Sequence, residues 1–370
     1  MLMVAGPSMA QESFSWYPVF KPQYFYSPSA GFGVGVGVNG ENLLRAGDAV
    51  RLRTRTQQFR QSLELGWTTR SPEPGYRGLM MTASLYRNVR EGFYGVGPAA
   101  PVADEQNARR VSAEVGLRRS FRAGGGVWVQ PRLDVTVDRF LGHEDARPTE
   151  GADVFEAYLN GLRARDAFGT LSLGLDLARP VGPVTIQAHG TTRFSGDGLV
   201  HVLGGVLADW PVYRSGHREL SVRALLDRSF HVDEVLPYWF LPRLDDRLAP
   251  GLDRFRFYAR DRLVLGAEYV HPILEILRSH AYEAVLHVGL AQVYDDIDRQ
   301  ISLRFEAGPD RTAPLGRIPL EPTFGIGSQF VSRQSGKVIA SAMLGFSAEG
   351  LQATTFRFSQ RLSGWNSSVR

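Results

Sequence analysis

The sequence contains no cysteine among its 370 residues, and its only lysines are Lys21 and Lys337. The absence of cysteine excludes a disulfide framework, a thiolate nucleophile and a cysteine-ligated metal site. An unbroken run of eighteen apolar residues occurs nowhere, which excludes a protein that crosses a membrane with helices. Arginine carries nearly all of the positive charge, and because the arginines are spread singly, the sequence predicts no nucleic-acid partner.

Glycine and aromatic residues are abundant instead. The chain has 40 glycines, and 11% of its residues are Phe, Trp or Tyr. Glycine weakens helices, whereas aromatic residues favour strands and membrane interfaces. An apolar share of 43% against a charged share of 22% is too high for a disordered chain. The composition therefore indicates an all-β protein.

Apolar and polar residues alternate along most of the chain, as they do between Val127 and Asp138. Most of the predicted strands reach the length of roughly 9 to 11 residues that a tilted strand needs to cross a bilayer. The polar face mixes small residues with single charges, which suits a barrel lumen. We predict an all-β fold, a sixteen-stranded antiparallel transmembrane β-barrel; a large soluble all-β fold is the alternative. The predicted strands lie near residues 31–39, 48–56, 58–70, 77–88, 109–121, 126–138, 152–165, 169–178, 183–196, 199–212, 217–231, 261–272, 281–294, 318–332, 336–347 and 350–362.

Connection lengths suggest an orientation. If both termini are periplasmic, the turns after even-numbered strands face the periplasm, and these include short ones at residues 179–183, 213–217 and 333–336. Short periplasmic turns are typical of such barrels. Two longer connections, residues 89–108 and 139–151, fall on the same side. Either they are genuine periplasmic loops, or one strand in the first half is miscounted.

The first ten residues have features of the tail of a secretory signal peptide. Ser8 and Ala10 stand where a cleavage site has small residues, although the apolar part is short and no positively charged segment precedes it. An ordinary N-terminus is the alternative. The predicted organisation is a signal-peptide remnant at residues 1–10, an N-terminal segment at 11–30, the barrel at 31–362 and a C-terminal extension at 363–370.

A series of short motifs begins after residue 231. LPYWFLPRL at residues 236–244 is followed by GLDRFR at 251–256, RDR at 260–262 and AEY at 267–269. In their order and spacing these motifs resemble the sixth extracellular loop and the next strand of the BamA-type surface-antigen superfamily. The end of the barrel is similar to the C-terminal assembly signal of that family, here with Phe356, Phe358 and Leu362.

The resemblance implies a barrel in the outer membrane of a Gram-negative bacterium, surrounded by lipid that includes lipopolysaccharide. Members of this superfamily usually carry periplasmic POTRA modules before the barrel. Residues 1–30 precede the first predicted strand and are too few for such a module. We therefore expect a member that lacks POTRA domains.

The resemblance also identifies a contact at which this chain departs from the family. There, a loop arginine pairs with a strand aspartate and holds the sixth loop inside the barrel. Asp253 stands at the arginine position and Gly289 at the aspartate position, so both partners are replaced together. We expect the loop to fold inward through Asp253 or Arg254, with Glu268 as one candidate partner; a loop that projects outward is the alternative. The residues of this loop-lock region are Asp253, Arg254, Phe255, Arg256, Glu268, Gly289 and Ala291.

No motif indicates an active site, a cofactor or a metal. The eight histidines are isolated, and no nucleophile elbow, HExxH motif or phosphate-binding loop occurs. The aromatic triplet at residues 238–240 is best explained as packing of the loop inside the lumen mouth. The sequence therefore predicts that the protein is not an enzyme and holds no cofactor.

Arg51, Arg53 and Arg55 share one face of a predicted strand. One interpretation is a lumen wall that is balanced by the acidic residues Glu64, Glu114 and Asp134. The other is an anion-attracting pore or a site for lipid headgroups.

Two functions compete. In the first, the barrel aids insertion or transport of protein or lipid through a weak seam between its first and last strands, with a periplasmic or outer-membrane protein partner in place of POTRA modules. The glycine-rich strand at residues 31–39 would pair loosely at such a seam. In the second, the barrel is a passive pore or a structural scaffold.

Overall fold

Sixteen strands of nine to eighteen residues make up the protein. The computed structural model describes residues 19–27, 31–41, 47–70, 77–93, 96–97, 106–145, 159–163, 165, 167–216, 218–233, 236–244, 249–252, 257–276, 279–302, 318–333, 337–347 and 350–358. The strands are β1 (Val19–Ser27), β2 (Gly31–Glu41), β3 (Ala49–Gln57), β4 (Arg60–Arg70), β5 (Arg77–Phe93), β6 (Gln106–Arg119), β7 (Trp128–Asp145), β8 (Phe168–Val181), β9 (Val184–Ser195), β10 (Gly198–Ser215), β11 (Arg218–Val232), β12 (Asp261–Ile276), β13 (His280–Tyr294), β14 (Glu321–Ser332), β15 (Lys337–Ser347) and β16 (Gly350–Phe358).

Each strand pairs antiparallel with its neighbours in sequence. β1 also pairs with β16, at Tyr26 and Phe356, so the pairing runs round a ring. Shorter elements are a two-residue strand at Phe121–Arg122, a parallel bridge between Ile301–Ser302 and Ile318–Pro319, and helical turns at residues 159–163 and Ile297–Gln300. No helix in the described part of the chain has the length and apolar character to cross a membrane. The predicted sixteen-stranded antiparallel barrel is confirmed.

The strands place apolar side chains outside and polar ones inside, as β8 illustrates. Leu171, Leu173 and Leu175 are 40%, 48% and 43% exposed, whereas Thr170 and Ser172 between them are 3% and 6% exposed. This pattern is the reverse of that in a soluble protein, where leucine side chains are buried because their contact with water is unfavourable. Hydrocarbon around the ring and a polar lumen account for both faces.

Two errors in the predicted strand list cancel in the count. Val19–Ser27 forms β1, although the sequence placed residues 11–30 outside the barrel. Pro22 argues against a central strand, since proline donates no backbone hydrogen bond, and this hid β1 from the pattern. Conversely, the described residues of the predicted strand at 152–165 include a helical turn at 159–163. Leu159 and Leu162 are both buried, and their spacing of three residues is a helical one.

The corrected count resolves the orientation. Adding β1 moves the connections near residues 89–108 and 139–151 to the opposite end of the barrel. The termini now share one end, here called the terminal end, where no connection is longer than eight residues. The other end, here called the loop end, carries the four longest connections, which are residues 94–105, 146–167, 233–260 and 295–320. This segregation of short and long connections is typical of outer-membrane barrels.

The outer face of β8 provides a test of membrane exposure. Leu173→Arg should lower the free energy of unfolding in lipid vesicles by about 2–4 kcal/mol, the cost of arginine near the bilayer midplane. Leu173→Met is the matched control and should leave it nearly unchanged. Urea unfolding, followed by the heat-dependent migration of folded barrels on gels, measures both. Equal stability of the two variants would show that Leu173 does not face hydrocarbon.

Candidate functional site

The connection of residues 233–260 between β11 and β12, here called the long loop, folds as a small hairpin. Arg243 and Tyr258 form an antiparallel bridge. The amide of Leu244 donates to the carbonyl of Phe257 at 3.2 Å, and the amide of Ala259 donates to that of Pro242 at 3.1 Å. The hairpin thus satisfies part of its own backbone, which lets it enter a confined space.

The first half of the long loop packs into an apolar cluster at the loop end. Tyr238 is fully buried, and its ring meets that of Tyr258 edge to face at 5.0 Å between centroids. The helical turn at residues 159–163 contributes Leu159 and Leu162 to this cluster. The connection between β7 and β8 therefore packs against the long loop. The other members of the cluster are Ala108, Phe140, Val200, Leu236 and Leu241.

The second half of the long loop packs against the opposite wall. Gly251 has a φ of +97°, and a side chain there would overlap the backbone of Phe346 in β15, so only glycine fits this approach. The apolar cluster beneath consists of Leu225, Leu244, Ala249, Leu252, Phe257, Ala259, Val264, Ala291 and Val293. The described parts of the long loop therefore fold inward and lie across the lumen. Residues 253–256 lie outside the described residues, so the contacts of Asp253, Arg254, Phe255 and Arg256 stay predictions.

Arg262, at the start of β12, fastens the long loop to the barrel wall. Its Nε donates to Oδ2 of Asp227 at 2.8 Å, its Nη2 pairs with the same oxygen, and its Nη1 donates to the carbonyl of Arg243. Asp227 is 1% exposed and lies opposite Arg262 in register on β11. Nε2 of His189 lies 2.8 Å from the other carboxylate oxygen. The motif at residues 260–262 contains Arg262, but its sequence context gives no sign of this attachment.

The other loop-lock residues lie in the wall. Oε1 of Glu268 is 3.7 Å from Nη1 of Arg223 on β11, an ion pair within the barrel wall. A side chain at Gly289 would begin 2.9 Å from the Leu265 carbonyl, closer than real Cβ atoms come. Ala291 is fully buried beneath the loop. The wall therefore has no room for an aspartate at position 289 unless neighbouring atoms move.

The aromatic triplet lies on a charged floor. Cζ of Arg110 lies 4.8 Å from the centroid of the Trp239 ring. Nη1 of Arg110 donates to Oδ1 of Asp138 at 3.2 Å. Its Nη2 is 3.5 Å from Oε2 of Glu91, which is fully buried. Burial raises the pKa of the Tyr258 phenol, so its hydroxyl stays protonated and donates to Oε1 of Glu91 at 3.5 Å. The triplet thus packs the loop in the lumen mouth, as predicted.

Beneath this floor the lumen contains two cavities. The upper one, of about 450 Å³, is roofed by Trp239, Phe240 and Arg243. The lower one, of about 580 Å³, lies nearer the terminal end and is lined by Arg51 and Arg53. The predicted arginine row therefore faces the lumen, with Arg55 in the upper cavity.

The predicted C-terminal signal falls partly within the described strands. Phe356 pairs with Ala342 of β15 and with Tyr26 of β1, and Phe358 pairs with Ala340. Leu362 lies outside the described residues. Among the described side chains, no group of three or more His, Asp or Glu could hold a metal ion.

No protein-family model and no curated protein matches the chain. Solved structures share its fold, among them the following two. The crystal structure of BamA from Haemophilus ducreyi lacking POTRA domains 1–3 aligns with a TM-score of 0.59 and 12% identity, covering 93% of this chain and 70% of that one. CdiB from Escherichia coli aligns with a TM-score of 0.52 and 11% identity, covering 93% of this chain and 62% of that one. The described residues therefore form a BamA-type barrel.

The fastening by Arg262 can be tested directly. Arg262→Met should lower the free energy of unfolding by about 3–5 kcal/mol, because Asp227 then loses its main partner while buried. The same variant should raise pore conductance in planar bilayers, since the hairpin is released from the wall. Arg214→Met is the control. It breaks an exposed pair with Glu219 and should cost at most about 1 kcal/mol. If both variants behave alike, Arg262 does not hold the loop.

Proposed function

We propose that this protein is an outer-membrane barrel of a Gram-negative bacterium that aids insertion or transport of protein or lipid through the seam between β1 and β16. The observation that carries the proposal is that this seam joins the first and the last strand of the ring, which no turn connects. Among the described residues β1 and β16 pair at Tyr26 and Phe356. All other neighbouring strands of the ring follow one another in the sequence.

The seam is the easiest place to open the ring, because no connecting turn has to stretch when β1 and β16 separate. Each backbone hydrogen bond contributes on the order of 1 kcal/mol net, and more where water cannot replace it. Pro22 has no N–H to donate, which further limits the ladder that β1 can form. The glycine-rich strand that the sequence placed at the seam is β2, paired along its length with β1 and β3, so its glycines do not explain the weakness.

Two further features support action at the seam rather than through the lumen. The described part of the long loop fills the loop end of the lumen, which obstructs a direct path for a folded or bulky client. The outer face of the strands is apolar, so a client that leaves sideways passes directly into lipid. The fold is shared with BamA and CdiB.

Delivery of clients is assigned in this proposal to a separate protein. The described residues form the barrel and its connections only, and none of these connections forms an α/β module. The proposal therefore includes a periplasmic or outer-membrane partner, with lipopolysaccharide-containing lipid around the barrel. No step of the proposed role needs a catalytic group, a metal or a cofactor.

A disulfide across the seam tests the proposal. Because the sequence has no cysteine, the two introduced thiols can pair only with each other within the chain. Tyr26→Cys with Phe356→Cys places two thiols on directly paired residues, whose spacing in antiparallel sheets suits a disulfide. Oxidation in the native host should reproduce the changes in outer-membrane protein or lipid composition that depletion of the protein causes. Reduction should reverse them.

The matched control joins two strands elsewhere in the wall. Thr54→Cys with Leu63→Cys links β3 to β4, which are already fully paired, and its oxidation should have no effect. If the locked seam leaves membrane composition as in the wild type, and depletion alters only small-solute permeability, the assembly role is wrong. The barrel is then a passive pore or a scaffold.

A further inference from the structure

The upper cavity, here called the arginine cavity, is lined by far more cationic groups than a structural ion-pair network needs. Its arginines come from β3, β4, β6, β7, β9 and the long loop, so they converge on one space from most of one side of the barrel. The charged lining residues are Arg55, Arg60, Arg110, Arg118, Arg132, Arg193, Arg243, Glu64, Glu114, Asp134 and Asp138.

Positive charge is in excess around the two cavities. The lower cavity adds Arg51 and Arg53, which gives nine arginines in the two cavities. The lining of the two cavities contains four carboxylates. Glu91 and Asp176 do not line the cavities but lie near Arg110 and Arg132, so six carboxylates face the nine arginines. Three positive charges thus remain in excess among the described groups. A confined cavity with an excess of one sign of charge in its lining concentrates ions of the opposite sign.

Some arginine N–H groups of the cavity lack an acceptor that a ligand could supply. The Nε atoms of Arg118 and Arg132 are buried and have no hydrogen-bond partner among the described residues. The nearest carboxylate oxygens to these two guanidinium groups, on Asp134 and Asp176, are each 3.9 Å away, which is long for an ion pair. Arg193 adds an unfavourable like-charge interaction with Arg132. Buried donors without acceptors cost free energy, and an anion between them would recover it.

The wall is shaped around Arg132. Gly174 lies opposite it in register on β8, and a Cβ at this glycine would overlap the Arg132 side chain. Nη2 of Arg132 donates to the hydroxyl of Thr191 on β9, which fixes the direction of the guanidinium. Nη1 of Arg193 is held 2.6 Å from Nδ1 of His201, and Cζ of Arg193 lies 5.1 Å from the Phe240 ring centroid. These arginines are therefore positioned before any ligand arrives.

We propose that the arginine cavity binds a multivalent phosphate anion, either free or as the headgroup of a lipid. Guanidinium groups bind phosphate through paired hydrogen bonds, and several converging ones favour a multivalent ligand. A volume of about 450 Å³ holds a headgroup or a small phosphorylated molecule. The lower cavity shares Glu64, Ser84, Glu114 and Arg118 with the upper one, which provides a route from the terminal end. The site does not depend on the proposed role of the seam.

Calorimetric titration of the full-length protein in neutral detergent with inorganic pyrophosphate tests the site. The wild type should bind it saturably. Arg132→Gln and Arg118→Gln should each weaken binding about tenfold, which is 1.4 kcal/mol. Gly174→Ala keeps every charge but displaces Arg132, and it should weaken binding similarly. Arg179→Gln, on the outer face of β8, is the matched control and should bind as the wild type does.

Reconstitution distinguishes the two sources of phosphate. If the ligand is a lipid headgroup, vesicles that contain phosphatidic acid should abolish pyrophosphate binding, whereas phosphatidylcholine vesicles should not. If it is a free anion, binding should be the same in both. Heat-dependent gel migration shows whether each variant is folded. If Gly174→Ala does not fold, the result for Arg118→Gln decides the test. Absence of saturable binding to the wild type, or equal binding by the cavity variants and Arg179→Gln, would overturn the proposal.

Discussion

The backbone hydrogen-bond ring is the constraint on which the rest of the structure depends. In hydrocarbon each unpaired N–H or C=O costs several kcal/mol, so the strands must pair on both sides. The ring then divides every strand into an outer face that meets lipid and an inner face that does not, as Leu173 and Ser172 show. A ring of sixteen strands is also too wide for wall side chains to fill. The polar lumen and the inserted loop both follow from this width.

The long loop fills part of the wide lumen with its own apolar residues. It buries Tyr238, Leu244 and Phe257 between walls that elsewhere carry charge. Such a plug needs a specific attachment, because apolar packing alone fixes neither depth nor direction. Arg262 supplies it by bonding a wall carboxylate and a loop carbonyl at the same time. The loop is thus attached by an ion pair within the wall whose arginine also bonds the loop.

Local periodicity made most of the barrel predictable, and its failures have physical causes. The alternation in β8 is a direct imprint of lipid on one face and lumen on the other. Pro22 hides β1 from the pattern, because a proline argues against a strand that pairs on both sides. The turn at residues 159–163 departs from the predicted strand because its leucines have a helical spacing. The contact of Arg262 with Asp227 joins residues on two strands separated by the long loop. It depends on strand register, and no local signal in the sequence reports it.

The position of the long loop inside the ring also constrains the order of folding. The loop contacts walls on both sides of the lumen, from β6 to β15, and it cannot enter a closed barrel past its own strands. β1 and β16 come from opposite ends of the chain, so their contact has the largest loop-closure cost in the fold and forms late. The hairpin therefore settles into an open, curved sheet, and joining the chain ends encloses it. The edge that closes last in folding is also the one edge that no turn holds together.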